Sequence, residues 1–318
     1  MSKPSLAPAR WFGPSRTPLS LALVAAGLVA LAGPSALAIP ASLSDYTRVF
    51  YDPFDDTDFS DRWRNFRTPG TTAGSGSGIY ASDAVTEKNG NLRIEAYSAL
   101  DDQGVLRNYV GSVRSHQAFT YGYFEATIKF EGESGLHQAF WMMPQSANIA
   151  TQPPNAFLNG AELDIVEHRL YDQDGKDISR GTSHGDHYAG YGIHEVANQK
   201  FLGGTLNDVD AFHRYGLLWT PDRYEFYIDD RYVGFTIHDN DQGTAISGQA
   251  EFMILSNNVG VAWSGPVAET YGDLETRGSR MVVGSVSAYQ LLVPEPATAL
   301  TLAAAVGLLG GRRARRRA

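Results

Sequence analysis

The sequence predicts an all-β protein, a sandwich or barrel of mainly antiparallel strands. Three observations carry that expectation. From residue 39 to 292 the chain is a series of short runs rich in Val, Ile, Tyr, Phe and Trp, broken by Gly, Asn, Asp and Pro. No amphipathic helix of useful length interrupts them. There is no cysteine, so the stretch must be held by a buried core, and about 250 residues suffice for that in one domain.

In chain order, residues 1–38 read as a secretory signal. Lys3, Arg10 and Arg16 form a basic start, Leu19 to Leu31 is apolar but short for a membrane span, and Ala36-Leu37-Ala38 is an A-x-A cleavage site. A retained membrane anchor is the alternative. Strands are expected at 46–52, 92–97, 109–115, 122–130, 138–143, 161–168, 181–188, 213–220, 224–228, 232–237, 251–256 and 284–292. Asp229-Asp230 stands between two of these runs at a hairpin position. Residues 68–78, 146–159 and 170–180 read as long loops, functional or simply surface flaps. After Val293-Pro294-Glu295-Pro296, an apolar run from Ala297 to Gly310 precedes Arg312, Arg313, Arg315, Arg316 and Arg317, which hold that end on the cytoplasmic side.

Without the leader and the tail, 18 basic and 34 acidic residues remain, a net charge of −16. That disfavours nucleic acid and anionic membrane as partners and suits a neutral or cationic ligand. The expected state is a monomer.

The chemistry is concentrated in Gly160-Ala161-Glu162-Leu163-Asp164-Ile165-Val166-Glu167-His168-Arg169. Leu163, Ile165 and Val166 are strand formers. Glu162 and Asp164 share a face by the two-residue period, whereas Glu167, five from Glu162, falls on the other face of a regular strand. One extra residue at Ile165-Val166, a β-bulge, returns Glu167 to the first face. The alternative is a merely wet strand face. Two carboxylates flanking a glycosidic bond are the equipment for its hydrolysis, and two Glu leaning over Asp164 suggest a gap of about 5–5.5 Å, the retaining geometry. Crowding splits their pKa values, so one keeps a proton near neutrality and acts as acid. Which Glu attacks and which protonates is not set by the spacing. Trp141, Trp219 and Trp263 lie among the strands; each is either core or a platform for a sugar ring. His184-Gly185-Asp186-His187 lacks a third ligand at metal spacing, so no metal is assigned. No phosphate-cradling or dinucleotide motif is present.

Taken together, these segments resemble glycoside hydrolase family 16, a group including laminarinases, lichenases, agarases and carrageenases, over most of 46–292. Glu162-Leu163-Asp164-Ile165-Val166-Glu167 is similar to its bulged E-x-D-x-x-E signature. Tyr121-Gly122-Tyr123-Phe124-Glu125-Ala126 resembles the strand whose Glu lines the sugar site, Ala139-Phe140-Trp141 the segment whose Trp walls the cleft, and Gly181-Thr182-Ser183-His184 the strand with a cleft His. Phe212 to Asp222, which carries Trp219, and 227–234 resemble the following strand pair, and Gly260 to Gly265 the Trp263 loop. The resemblance implies a β-jelly-roll (concanavalin A-like) sandwich and a retaining endo-hydrolase of β-1,3- or β-1,3-1,4-glucan. Glu162 is then the nucleophile, Glu167 the acid/base, and Asp164 the group tuning Glu162. The alternatives are a galactan hydrolase, a transglycosylase or a non-catalytic carbohydrate-binding protein. Glu125, Trp141, His184, Trp219 and Trp263 are the expected substrate contacts.

The chain also departs from the family. His137-Gln138 replaces a common Trp-Pro, Thr127 an Arg, and Leu218 a Glu. No cofactor is required. Gly284 stands where members often have an Asp for structural calcium, leaving the acidic 52–58 stretch as the other place for an ion. The tail resembles the PEP-CTERM sorting signal. This implies export in a Gram-negative-type bacterium, transient residence of the tail in the membrane, and its removal by an exosortase-type protease; a permanent tail anchor is the alternative.

Overall fold

The computed structural model describes residues 40, 43–55, 59–72, 76–149, 155–188, 206, 208–236, 245–274 and 279–291. The expected signal segment, 1–38, and the sorting segment, 293–318, lie outside them.

The described residues form β1 (Tyr46–Asp52), α1 (Phe59–Arg62), β2 (Trp63–Asn65), β3 (Ile79–Tyr80), β4 (Val85–Glu87), β5 (Leu92–Leu100), β6 (Leu106–Val110), β7 (Ser112–Phe119), β8 (Gly122–Glu131) and β9 (Leu136–Pro144). There follow α2 (Ala156–Asn159), β10 (Ala161–His168), β11 (Ser183–Tyr188), β12 (His213–Trp219), β13 (Tyr224–Ile228), β14 (Arg231–Thr236), β15 (Glu251–Val259) and β16 (Ser279–Leu291). Each expected strand is matched by an observed one. The run 109–115 is in fact two strands parted at Gly111, and the short β2, β3 and β4 were not legible.

Two sheets stack as a sandwich. The larger runs β14-β13-β12-β8-β16-β5-β6-β3, with β1 also on β16 and β4 on β5; the smaller runs β11-β10-β9-β15-β7-β2. Pairing is antiparallel except between β3 and β6. Gly111 is where the chain changes sheets. Its N–H donates to the Glu95 carbonyl on β5 at 3.0 Å, and its carbonyl accepts from Asn257 N–H on β15 at 3.0 Å. A Cβ there would lie 2.5 Å from the Ala84 carbonyl oxygen, so glycine lets the crossing stay tight.

Alternation builds the core between the sheets. Phe124, Ala126, Ile128 and Phe130 of β8 and Leu217 and Trp219 of β12 face Phe140 and Met142 of β9, Leu163, Ile165 and Val166 of β10, and Met253 and Leu255 of β15 in one buried cluster. Each large apolar side chain so buried contributes about 1.5–3 kcal/mol. The intervening residues of the smaller sheet form its outer face.

Candidate active site

Strand β10 starts from Gly160, whose φ is 85° and whose Cβ, if it had one, would lie 2.6 Å from Pro144 Cβ. Only glycine accommodates both the left-handed backbone and the close approach. Ala161 and Leu163 turn into the core. Against β9 the register runs Leu163↔Met142, Asp164↔Trp141, then Val166↔Phe140 and Glu167↔Ala139. Against β11 it breaks between Asp164↔Gly185 and Glu167↔Ser183. One residue is therefore extra at Ile165-Val166, where the spacing of the acids predicts a bulge. Ile165 and Val166 both enter the core, and Glu162, Asp164 and Glu167 share the outer face.

The bulge takes the Ile165 carbonyl out of regular pairing. His184, turned inward from β11, supplies the donor: its Nδ1 lies 2.5 Å from Ile165 O, and Thr182 Oγ1 faces Nε2 at 3.1 Å. Nδ1 therefore carries the proton and Nε2 accepts. Burial lowers the His184 pKa to about 4 and keeps the ring neutral. Its ring packs 5.6 Å from that of Phe226 in the core. The expected cleft histidine at 184 is thus corrected, because the two-residue period sends it to the inner face, where it braces the bulge.

Two other histidines meet the acids. His187 lies opposite Glu162 in the β10–β11 register, with Nε2 3.4 Å from Asp164 Oδ2. His137 of β9 places Nε2 2.6 Å from Glu167 Oε1, and Ser183 Oγ donates to Glu167 Oε2 at 3.2 Å. The sequence reading missed these three as site residues. The available signal was parity: 137 and 141 share a face of β9, as do 183 and 187 of β11.

Burial and the neighbouring Glu167 charge push the Asp164 pKa up to about 6, against the opposing pull of His187. Burial also works to raise Glu167, but His137 above all, with Arg169 and His187, outweighs it and holds Glu167 at about 2. Burial works to lower His187, yet its contact with Asp164 and the surrounding carboxylates bring it to about 10. Of these two carboxyls, Asp164 is the one pushed toward neutrality, while Glu167 is held ionised beside His137.

Trp141, beside Asp164 on the outer face, donates Nε1–H to Ser256 Oγ at 3.0 Å and is met edge-on by Phe66 at 5.4 Å. Trp263 is 41% exposed, with its ring 5.9 Å from that of His137. These two indoles flank the acids. Two expected contacts are elsewhere. Trp219 is fully buried and donates Nε1–H to the Ser247 carbonyl at 3.1 Å, as part of the core. Glu125 belongs to the larger sheet and, alternating with core-facing Phe124 and Ala126, sits on that sheet's outer face, away from the acids. There it accepts from Tyr123 Oη at 3.1 Å and lies 3.7 Å from Arg214 Nε, and burial raises its pKa to about 7.

Among the described residues, Glu162, Asp164 and His187 are the one group whose ligand-type atoms lie within 4.8 Å of one another. A cation there would have to displace the proton that Asp164 and the surrounding carboxylates hold on His187, raised to about 10. The two places the resemblance gives for calcium are Gly284 and the acidic stretch from Asp52. Gly284 has no side chain, and it falls at the register break of β16 between Val283 and Ser285. The two Asp52 oxygens accept from Phe54 N–H at 2.9 Å and Trp63 Nε1–H at 2.7 Å. Residues 56–58 of the acidic stretch lie outside the described residues.

The chain is similar to known proteins in sequence and in fold. The sequence model of the family described as "Glycosyl hydrolases family 16" matches residues 76–277. The chain is 28% identical over 211 residues to the endo-1,3-1,4-beta-glycanase EglC of Rhizobium meliloti (strain 1021), covering 65% of this chain and 38% of that protein. It is 31% identical over 119 residues to a beta-1,3-glucan-binding protein of Penaeus monodon, covering 36% of this chain and 31% of that one. The chain thus spans well under half the length of these curated relatives. The X-ray structure of the endo-beta-1,3-glucanase from Pyrococcus furiosus superposes with a TM-score of 0.60 at 21% identity, covering 77% of this chain and 94% of that one. The shared fold is the β-jelly-roll sandwich.

Proposed function

The chain belongs to glycoside hydrolase family 16, and on that premise we propose that it is a retaining, endo-acting hydrolase of β-1,3- or β-1,3-1,4-glucan. The observation that carries this is the bulge of β10, which sets Glu162, Asp164 and Glu167 on one outer face. The glycan lies across that face with Trp141 and Trp263 as platforms, its C–H faces against the indoles. Glu162 attacks the anomeric carbon while Glu167 protonates the departing oxygen. Water, deprotonated by Glu167, then releases the sugar from Glu162. Asp164, the carboxyl that burial pushes up to about 6, can carry a proton toward Glu162, with atoms of the two groups within 4.8 Å. Side chains supply every proton and charge in this sequence, so no cofactor is called for. Substitutions Glu162→Gln and Glu167→Gln, assayed for reducing ends on a panel of glucans and galactans, test the reading. Each is expected to cost at least about a hundredfold, the lower range for an acid–base group. A wild type that binds glucan but releases no reducing ends from any glycan contradicts it and favours the non-catalytic reading, which the named glucan-binding relative motivates.

The basic-apolar leader and the apolar-arginine tail support a further part of the proposal: the protein is exported, and an exosortase-type protease removes its tail at the cell envelope. Mass analysis of the termini of the protein from its producing cell is expected to find Ile39 first and the arginine cluster missing. Persistence of both segments contradicts this.

A further inference from the structure

The contact between His137 and Glu167 is unlike the other contacts of the acids. Both side chains are buried, on adjacent strands β9 and β10, with Nε2 2.6 Å from Oε1. The carboxyl is fixed from its other side by Ser183. His137 Nδ1, also buried, has no hydrogen-bond partner among the described residues. Nothing at Nδ1 thus fixes the ring, and among the described residues Glu167, at Nε2, is its one hydrogen-bond partner. Trp263 stands perpendicular to the imidazole at 5.9 Å, within reach of a favourable contact with a cationic ring. The other charged groups near the pair are Asp164 and Arg169 from β10 and its end, and His187 from β11. On β15 the residue opposite His137 is the neutral Asn258.

We propose that His137 is a positioning residue for the acid/base carboxyl, holding one proton in common with Glu167 and returning it to Oε1 when the glycosidic oxygen departs. The proposal rests on the roles given above to Glu162 and Glu167. In the free protein Glu167 is ionised, and the shared proton lies in the 2.6 Å contact between Nε2 and Oε1. In the first half-reaction the bond from Glu162 to the anomeric carbon forms and the glycosidic C–O bond breaks. The proton passes from Nε2 to Oε1 to the leaving oxygen, and the imidazole is left neutral. In the second half, water oxygen bonds to the anomeric carbon and the Glu162 ester bond breaks. The proton lost by water enters the pair again. The imidazole thereby supplies what an ionised Glu167 lacks, and it explains how a carboxyl held at about 2 can serve as an acid.

The test compares His137→Gln, which keeps a donor to Oε1 but cannot carry the proton, with wild type on two probes. Laminarin has a poor leaving group that needs protonation; 2,4-dinitrophenyl β-laminaribioside has one that does not. The expected result is a loss of about a hundredfold in kcat on laminarin and less than about threefold in glycosylation of the enzyme by the aryl glycoside. Equal losses on both probes overturn the proposal, since a merely structural role affects both alike. A second measurement needs no substrate. The imidazole of His137, assigned by its absence in His137→Gln, is titrated by NMR in wild type and in Glu167→Gln. Its midpoint is expected to be lower without the carboxylate, which favours the charged ring, and an unchanged midpoint overturns the proposal. A wild type that cleaves neither probe counts against the hydrolase reading, and the titration then decides the role of His137 separately.

Discussion

Trp219 and Trp263 are the same residue type in similar aromatic surroundings, and they have opposite positions. Trp219 is fully buried, with its indole N–H bonded to Ser247 O, whereas Trp263 is 41% exposed beside His137. Trp219→Ala is expected to cost about 3–5 kcal/mol of stability, as for other buried aromatics. Trp263→Ala should stay within about 0.5 kcal/mol of wild type while raising KM for glucan. Urea unfolding and steady-state kinetics on the two variants check this, and the reverse assignment would contradict the placement of both rings. Glu251 gives a residue-scale pH prediction. It is fully buried, accepts from Ala161 N–H at 3.0 Å and Ser247 Oγ at 2.5 Å, and burial raises its pKa from 4.5 to about 8. Between those two values the unfolded carboxyl has lost a proton that the native one keeps. Stability contributed by this group is therefore full at low pH and falls as pH rises through that window. Urea titrations at several pH values should show Glu251→Gln less sensitive than wild type between pH 4.5 and 8; parallel curves would refute it.

At the scale of the element, the bulge of β10 decides where the chemistry lies. Its presence was legible because E-x-D-x-x-E cannot put three acids on one face of a regular strand. Its brace was not, because His184 and His187 look alike in sequence and only the pairing with β10 separates them. His184→Ala leaves the buried Ile165 carbonyl without its donor and is expected to cost about 1–3 kcal/mol. Thermal unfolding checks this, and a variant as stable as wild type would contradict the brace. The hairpin between β13 and β14 was equally legible: Asp229 and Asp230 have φ of 49° and 64°, the left-handed pair of a two-residue turn.

For the whole molecule, strand existence was written in the alternation of apolar residues, but the assignment of strands to sheets was not. Glu125 illustrates the difference. Its strand was expected, yet β8 lies at the middle of the larger sheet and the acids lie on the smaller one. A strand buried on both faces, such as β8 with Tyr123 through Ala126 all buried, carries no residue-type signal of which face meets the site. The same architecture makes the chain ends interdependent. β1 pairs with the last half of β16, from Tyr46↔Leu291 to Asp52↔Val286. A protein limited to residues 39–292 is expected to unfold cooperatively, and one limited to 53–292 to unfold at a lower temperature, because the outer edge of β16 is then unpaired. Calorimetry on the two would show it.

Double displacement on the outer face of β10 requires Glu162 as the nucleophile. A 2-deoxy-2-fluoro-β-laminaribiosyl fluoride slows release of the covalent intermediate enough for peptide mass analysis. The expected result is a single fluorosugar adduct on Glu162, abolished by Glu162→Gln. An adduct on Asp164 or Glu167, or glucan hydrolysis that inverts the anomeric centre, would contradict it.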